Sequence, residues 1–425
     1  MTTAPLVSVL MPSLNQSQFI EAAVRSAFQP DFRQLELIVA DGGSSDGTLA
    51  VLERLALEFA PRLRWVSLPD RGPADAVNRA LSLAHAAIVG WLNADDLYAP
   101  GAIAAAVQRL SADPTLVMIY GEAQHIDAEG HHLGRYPTLS PAAGIDAFQS
   151  SCFICQPTVL LRREALEQLG GLDDSCAVAF DFDLWIRLFA RFPSRIGFID
   201  RLQAFSRTHG QTLTARQRRR VAFEAVRVLA KHLGHAQPHW ILTYLDETIR
   251  GYPTYDQNQD LRAHAMNMFE DVATHLNQEG RSQLLERIEH DKRLTCVSAG
   301  VHADFFADGW AGKSLALRLR CNAPGDSVLV VRGDNRAPVS RHLRLDVTTS
   351  DGTSMSVAVK RRQTFQFEVP FHVHSTGQLL FARVECAPTF VPMHVERDSV
   401  DTRTLAYKVD SISLTDARHY RYSQG

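Results

Sequence analysis

Short apolar runs alternate with amphipathic segments through the first half of the chain. Runs rich in Val, Ile and Leu read as buried strands at residues 6–13, 35–43, 63–69 and 86–93. The intervening residues 17–28, 45–59 and 73–84 carry apolar side chains at helical spacing. Strands that alternate with helices indicate βαβ units and a mostly parallel sheet. The first prediction is therefore an α/β domain over residues 1–214.

The pattern changes twice after residue 214. Residues 215–290 are polar overall, but two stretches keep helical spacing, which predicts a helical connecting segment. From residue 291 onward apolar and polar residues alternate one by one, and the turn Asp351-Gly352 joins two such arms. Several short strands separated by turns predict a β-sandwich over residues 291–425.

Composition limits the function classes. A formal net charge of -3 does not fit a nucleic-acid binder, which would be strongly basic. The N-terminus lacks the pattern of a signal peptide, and no apolar run reaches about 20 residues, so we expect a cytoplasmic chain. The six cysteines are expected to be reduced. Cys152 and Cys155 form a C-x-x-C that could be a redox pair or half a zinc site, although their apolar neighbours favour a buried strand.

Acidic residues follow the fourth predicted strand directly, as Asn93, Asp95 and Asp96. Two adjacent carboxylates at the end of a buried strand repel each other unless they are solvated, hydrogen-bonded or neutralised by a cation. Mg²⁺ and Mn²⁺ prefer such oxygen ligands. Taken alone, the stretch fits an ordinary turn better than a metal site.

Other polar residues also fall where ligands bind in parallel sheets, at the carboxyl ends of strands. Asp41 could accept a hydrogen bond from a nucleobase or close an Asx turn. Asp70, Arg71 and Asp75 could hold a ribose or diphosphate or form a solvated turn. The remaining candidates are Asp181, as a general base or a helix cap beside Asp183, and the loop residue His209. Trp185 has the spacing of a core residue more than that of a sugar-stacking platform.

The order of these motifs resembles the family 2 glycosyltransferases, which have the Rossmann-like GT-A fold. The matching stretches, in chain order, are VSVLMPSLN (7–15), ADGGSSDGT (40–48), DRGPADAVNRA (70–80), LNADD (92–96), QPTVLLRR (156–163), DFDLWIRL (181–188) and RTHGQTLT (207–214). Seven motifs in the family's order make the resemblance specific over residues 5–214. Two positions depart from it, because Gly42 and Asn93 stand where the family has Asp.

The resemblance implies a role for each matched residue. Donor-nucleotide contacts fall on Pro12, Ser13, Asn15, Asp41, Gly43, Asp70, Arg71, Asp75, Asn93 and Ala94. A divalent metal, Mn²⁺ or Mg²⁺, falls on Asp95, Asp96 and His209. Asp181 would be the general base of an inverting transfer. The metal would neutralise the diphosphate leaving group.

The implied reaction moves a sugar from a UDP-, dTDP- or GDP-linked donor to a glycan or lipid-linked oligosaccharide. Residues 390–414 resemble the end of an accessory β domain of bacterial polysaccharide glycosyltransferases, so the expected setting is surface polysaccharide, lipopolysaccharide or O-antigen synthesis. That domain could bind glycan, pair subunits or dock a partner transferase. Contact with the inner face of the membrane stays open.

The alternative function is that of a non-catalytic sugar-binding or scaffold protein with a degenerate transferase domain. A dehydrogenase or nucleotidyltransferase would need a Gly-rich loop after the first strand, where this chain has none.

Overall fold

The computed structural model describes residues 4–250, 261–295, 301–321, 323–338, 342–396 and 399–416. The chain divides into two compact units, residues 1–240 and 241–425. The predicted three-part division at residues 214 and 290 stays a prediction. The helix that begins at Arg218 belongs to the first unit, so residues beyond 214 can position parts of a site in that unit.

A nine-stranded sheet forms the centre of the first unit. Its strands are β1 (Val7–Ser13), β2 (Leu35–Asp41), β3 (Leu63–Ser67), β4 (Ile88–Trp91), β5 (Leu97–Tyr98), β6 (Met118–Ile126), β7 (His132–Arg135), β8 (Leu160–Arg162) and β9 (Ile196–Arg207). The order is β3-β2-β1-β4-β8-β6-β9-β5, with β7 beside β6. Strands β1 to β4 are mutually parallel, as predicted, and every residue of β1, β2 and β4 is buried. Such continuous apolar runs are typical of strands that helices cover on both faces.

Helices fill the connections between these strands. They are α1 (Ile20–Ala27), α2 (Thr48–Glu58), α3 (Pro73–Ser82), α4 (Ala102–Ala112), α5 (Arg163–Gln168), α6 (Phe180–Arg191), α7 (Leu213–Arg216) and α8 (Arg218–Leu233). Short 3₁₀ turns at Pro141–Ala143, Ile145–Gln149 and Gln156–Thr158 lie between β7 and β8. The small strand β8 runs antiparallel to both β4 and β6, whereas β9 is parallel to β6.

The segment around the C-x-x-C motif is buried, but it is not the strand that its composition predicted. Phe153 and Ile154 are almost fully buried and lie in irregular backbone before β8. Cys152 and Cys155 are both free thiols, in agreement with the reduced state expected from the sequence. Cys296 lies outside the described residues. Packing of apolar side chains therefore explains the burial here without strand pairing.

The second unit combines helices with an antiparallel β domain. Its elements are α9 (His239–Ile249), α10 (Leu261–Val272), α11 (Gln278–His290), α12 (Lys292–Thr295), β10 (Val301–Phe305), β11 (Trp310–Arg320), β12 (Gly325–Asp334), β13 (His342–Thr349), β14 (Ser354–Lys360), β15 (Thr364–Val373), β16 (Leu379–Ala387), α13 (Pro392–Val395) and β17 (Tyr407–Asp416). The predicted hairpin around Asp351-Gly352 is formed by β13 and β14, with Leu345 opposite Val357.

Strands β10 to β17 form one hydrogen-bonded sheet, ordered β14-β13-β16-β11-β17-β12-β15, with β10 beside β11. Alternate residues of these strands share a single apolar core, which includes Leu315, Leu317 and Leu319 as the alternation predicted. The antiparallel β domain is thus confirmed. Its described strands curl around the core as a barrel-like sheet, because hydrogen bonds continue along the whole strand order where a sandwich would have two separate sheets.

Candidate functional site

The first three strands end together at one edge of the first sheet. Ser13, Asp41 and Ser67 are direct partners in the parallel register, so their side chains lie beside one another where βα loops begin. Asp41 is fully buried and accepts hydrogen bonds from the N–H groups of Gly43 and Ser44 and from the hydroxyls of Ser44 and Ser67. Burial alone would raise the pKa of Asp41, but the hydrogen bonds led by Ser44 outweigh it and hold the pKa below its usual value.

This bonding favours the loop-closing role for Asp41 over direct contact with a nucleobase. The loop it closes is also tied to the end of β1. Asn15 adopts a left-handed backbone with φ of 53°, its N–H donates to Ser44 Oγ at 2.7 Å, and its Oδ1 accepts the N–H of Ser45 at 2.9 Å. Nucleotide contact by Asp41 and Asn15 stays a prediction.

Ser13 carries a polar group at this edge that is available for hydrogen bonding. Its hydroxyl is buried and has no hydrogen-bond partner within the described part of the chain. Pro12 beside it is buried in β1, and Gly43 has φ of 93°, a conformation that glycine adopts without strain. A buried hydroxyl without a partner is costly, so Ser13 is a candidate for a ligand hydrogen bond.

Gly42 departs from the family pattern, and the structure shows what occupies the vacated space. A Cβ atom on Gly42 would lie 2.6 Å from Oδ2 of Asp70. Asp70 Oδ1 accepts the N–H of Gly72 at 2.9 Å. Burial raises the pKa of Asp70, and the nearby carboxylates of Asp75 and Asp41 add to the increase. A carboxylate from the loop after β3 therefore lies where the side chain of residue 42 would project.

Arg71 and Asp75 lie together at the start of α3. The exposed Arg71 guanidinium forms ion pairs with Asp75 at 3.0 Å and with Asp174 on the loop before α6. The second oxygen of Asp75 lies 3.4 Å from Arg79. Both residues predicted to contact the donor are thus engaged with protein partners, and Arg71 links the β3–α3 loop to the loop that precedes α6.

Residues Asn93–Asp96 form a turn between β4 and β5, closed by a hydrogen bond from the N–H of Asp96 to the carbonyl of Asn93. The Asn93 amide bridges two neighbours: Oδ1 accepts from Trp91 Nε1 at 3.0 Å, and Nδ2 donates to Asp96 Oδ2 at 3.1 Å. The other oxygen of Asp96 accepts the backbone N–H of Arg207 at 2.8 Å. Burial, and then the proximity of Asp95, raises the pKa of Asp96 well above its usual value.

Asp95 faces the other way, towards His209. Its Oδ2 lies 3.2 Å from His209 Nε2, while His209 Nδ1 accepts the N–H of Gln211 at 3.3 Å and the ring packs on Phe19. Ala94 is buried beneath the turn. The structure therefore brings Asp95 and His209 together, as the sequence predicted. It does not bring Asp96 to them, because both oxygens of Asp96 point to Asn93 and the backbone of Arg207.

Asp181 and Asp183 differ sharply although both lie in the first turn of α6. Asp183 is fully buried between Arg187, at 2.6 Å, and His232 of α8, at 2.7 Å. Asp181 Oδ1 accepts the N–H of Phe182 at 2.7 Å, and no cation of the described chain forms an ion pair with it. Burial raises the pKa of Asp181 to about 6. Neither side chain caps α6, whose N-cap is Ala179.

Asp181 belongs to the same edge as the acidic turn. The ring of Phe180 stacks on Trp91 with centroids 5.4 Å apart, and Trp91 also donates to Asn93. Trp185, one turn further along α6, is 1% exposed, which confirms the prediction that it is a core residue. The start of α6 is therefore packed directly against the end of β4.

Some residues that hold the site were missed by sequence reasoning. Arg207 anchors the acidic turn through its backbone N–H to Asp96 and its guanidinium to the carbonyl of Asp95, at 2.8 Å each. Its position two residues before His209 in the same motif was the available signal. Glu224 and His232 contact the α6 region from α8. Both residues lie after residue 214, where the sequence predicted that the first domain ends. The available signal was that they lie on one predicted helix, two turns apart.

Two other groups of potential metal ligands occur among the described residues, and both have simpler explanations. Asp127, Glu129 and His131 form an Asx-type turn between β6 and β7, on a largely exposed loop. Asp173, Cys176 and Asp183 surround the ammonium of Lys231, which lies 2.8 Å from Asp173. A lysine and the partners of Asp183 already neutralise the second group.

No helix within the described ranges is both long enough and apolar enough to cross a bilayer.

The chain is similar in sequence to a known protein family. A family model described as "Glycosyl transferase family 2" matches residues 8–170, which include the ends of β1 to β4 and the turn that carries Asp95. The match ends before α6, so it covers neither Asp181 nor His209.

Two curated relatives are similar over the same part of the chain. A chondroitin synthase of Escherichia coli is 29% identical over 187 residues, which are 43% of this chain and 26% of that protein. The O-antigen biosynthesis protein RfbC of Myxococcus xanthus is 29% identical over 197 residues, 46% of this chain and 15% of that protein. The chain thus spans only about a quarter or less of the length of these two relatives.

Among solved structures, residues 1–349 of TarS from S. aureus, in complex with UDP, have a TM-score of 0.46 and 17% identity to this chain. The alignment covers 66% of this chain and 86% of that one.

Proposed function

We propose that this chain, which the model of the family 2 glycosyltransferases matches over residues 8–170, moves a sugar from a nucleotide-diphosphate donor to a glycan hydroxyl with inversion. The observation that carries the proposal is the state of Asp181. It is a carboxylate with a pKa of about 6, without a cationic partner in the described chain, beside the edge where β1 to β4 end. A general base needs a pKa near the working pH and a free oxygen, and Asp181 has both.

In this mechanism Asp181 takes the proton of the acceptor hydroxyl. The hydroxyl oxygen then forms a bond to the anomeric carbon while the bond from that carbon to the diphosphate oxygen breaks, and the nucleoside diphosphate leaves. Attack from the face opposite the leaving group inverts the anomeric centre. The hydrogen bond from Phe182 to Asp181 Oδ1 fixes the carboxylate and leaves Oδ2 to accept the proton.

A divalent cation fits between Asp95 and His209. Asp95 and His209 would hold it, because Oδ2 of the carboxylate and Nε2 of the imidazole lie 3.2 Å apart and each is an atom that can ligate a metal. The imidazole favours Mn²⁺ over Mg²⁺, which prefers oxygen ligands alone. Such an ion supplies Lewis-acid neutralisation of the diphosphate charge. Asp96, turned towards Arg207, keeps the turn in shape without reaching the ion.

The donor nucleotide is proposed to lie along the carboxyl edge, against Ser13 and the loop of Gly42 and Gly43. The unpartnered Ser13 hydroxyl and the carboxylate of Asp70 supply polar contacts there. Asn93, whose amide is fully engaged inside the turn, supports this edge from within. UDP-, dTDP- and GDP-sugars are the donor classes to test.

The proposed setting is bacterial surface polysaccharide synthesis, in the cytoplasm, with a glycan or lipid-linked oligosaccharide as acceptor. It rests on the relatives, which are named as a chondroitin synthase and an O-antigen biosynthesis protein. A role of the β domain in binding glycan, in pairing subunits or in docking a second transferase extends the same proposal.

The proposal is tested with a thermal-shift panel of UDP-, dTDP- and GDP-sugars, each with and without Mn²⁺, because a ligand that binds only the native state raises the melting temperature. The donor that shifts it most is then assayed for release of its nucleoside diphosphate in the presence of glycan acceptors. We expect one nucleotide class to stabilise the protein more strongly with Mn²⁺ and to be turned over. Binding without any turnover would favour the non-catalytic sugar-binding alternative.

A further inference from the structure

The loop that leads into α6 carries the proposed base but is held by a different helix. Glu224 of α8 accepts three consecutive backbone N–H groups, from Ala177 to its Oε1 at 3.1 Å and from Val178 and Ala179 to its Oε2 at 2.8 and 3.0 Å. Glu224 is 6% exposed. We propose that Glu224 is a positioning residue, which fixes the carboxylate of Asp181 by clamping the three residues before α6.

The clamp has a clear physical purpose. The first N–H groups of a helix have no partner inside it, and the side chain of the N-cap residue normally accepts one of them, which Ala179 cannot do. At α6 the carboxylate of Glu224 takes the N-cap N–H of Ala179 together with the two donors before it. The backbone that enters α6 two residues before Asp181 is therefore fixed by Glu224.

Helix α8 makes a second contact on the other side of Asp181. Two turns after Glu224, His232 lies 2.7 Å from Asp183, and Lys231 contacts Asp173 in the preceding loop at 2.8 Å. Asp181 thus lies between the backbone at 177–179, held by Glu224, and the side chain of Asp183, held by His232 of the same helix. Movement of the loop at 177–179 would move the base, whereas the donor edge meets this loop at Asp174, three residues before the clamped stretch.

This separation predicts how the loss of the clamp would affect kinetics. Since the donor binds away from Glu224, a variant should keep its affinity for donor and lose turnover, because a base displaced by even about 1 Å is much less effective. The inference rests on the proposed function, in which Asp181 is the base.

The test compares Glu224→Ala and Glu224→Gln with the matched control Arg220→Gln, in the full chain. Arg220 pairs with Glu224 at 2.8 Å from the exposed side, so the control removes the ion pair and leaves the three N–H contacts. Hydrogen–deuterium exchange of the peptide covering 177–183 measures the clamp. The kcat and the donor KM are measured with the nucleotide sugar that gives turnover in the panel.

We expect Glu224→Ala to expose residues 177–179 to exchange and to lower kcat at least about tenfold, with the donor KM within about twofold of the parent. Glu224→Gln, which keeps one acceptor oxygen, should fall between Glu224→Ala and the parent, and Arg220→Gln should stay within twofold. Unchanged exchange in Glu224→Ala, or faster exchange with unchanged kcat, would overturn the inference. If the parent turns over no nucleotide sugar, the proposed function itself fails, and the positioning role fails with it, whatever the exchange data show.

Discussion

The acidic turn after β4 and the first turn of α6 solve the same problem in two ways. Each places a carboxylate with internal partners on both oxygens next to one for which we propose a chemical role: Asp96 beside Asp95, and Asp183 beside Asp181. Asp96 is held by a backbone N–H and by the amide of Asn93, but these two hydrogen bonds do not offset burial and the nearby Asp95, which raise its pKa. Asp183 is held by Arg187 and His232, and these partners outweigh burial and lower its pKa.

The difference shows that acidic residues close in sequence need not act together. A carboxylate held by neutral donors can be replaced by an amide with little electrostatic cost, whereas one held by buried cations cannot. In both segments the residue available to a ligand or substrate is the one without internal partners on both of its oxygens. Changing one acid at a time tests this difference.

The largest expected effect is that of Asp181→Asn. An amide cannot accept the acceptor proton, so kcat should fall by about 10²-fold or more, since general bases contribute roughly 10² to 10⁴. The folded-state pKa of about 6 is above the usual Asp value, so ionisation of Asp181 lowers stability as pH rises through 6. Asp181→Asn should therefore remove that loss and unfold at a higher temperature than the parent at pH 7.

The measurements are kcat, donor KM and the melting temperature at pH 5 and pH 7. In the parent, kcat should also decline below about pH 6, as the base becomes protonated. Turnover equal to the parent's in Asp181→Asn would remove Asp181 from the reaction and leave the two acids of α6 equivalent.

The second effect is on stability. Asp183→Asn removes the charge that pairs with the largely buried Arg187 at 2.6 Å and lies 2.7 Å from His232. Breaking a buried ion pair on one side costs about 3 kcal/mol of unfolding free energy. Urea denaturation at pH 7 checks the value, with Asp96→Asn as the comparison, because that change replaces a carboxylate with a raised pKa by a neutral group. Equal losses in both variants would contradict the distinction between the two segments.

The third effect tests Asn93, which stands where the family has Asp. Asn93→Asp removes the donor to Asp96 and places a second carboxylate at about the 3.1 Å that now separates Nδ2 from Asp96 Oδ2. The protein should lose about 1–2 kcal/mol at pH 8, and less at pH 5, because the raised pKa of Asp96 allows it to stay protonated at the lower pH. Asn93→Ala loses the bridge without adding charge and is the control. A smaller loss in Asn93→Asp than in Asn93→Ala would show that repulsion is not the reason for the asparagine.

How much of this could be predicted from the sequence depends on the range of the interactions. The parallel strands and the alternating β domain were predicted because each strand carries its own apolar pattern. The meeting of Ser13, Asp41 and Asp95 at one edge followed from strand direction alone. The small strand β8 was not predicted, since three residues between two antiparallel partners carry no periodicity of their own.

The roles of paired acids also lie beyond the sequence pattern. Asp96 is turned inward by the backbone of Arg207, 111 residues away, and Asp183 by His232, 49 residues away. Nothing in the local stretch distinguishes Asp95 from Asp96 or Asp181 from Asp183. A resemblance can mark both acids of a pair, but only packing decides which one keeps a free oxygen.

The smallest effect extends the comparison to a third acid pair, whose second member comes from another loop. Asp41 is locked by hydrogen bonds, and Asp70 takes the place beside it that Gly42 leaves open. Gly42→Ala should push the flexible carboxylate of Asp70 aside, cost less than about 1 kcal/mol, and raise the donor KM a few-fold at unchanged kcat. Gly210→Ala, at a loop position where a Cβ meets nothing within 4 Å, is the control. Steady-state kinetics on both variants measure the donor KM. If Gly42→Ala keeps the KM of the parent, Asp70 only fills the space beside Gly42 and does not contact the donor. This edge would then differ from the acidic turn and from α6, because it would hold no acid that is available to a ligand.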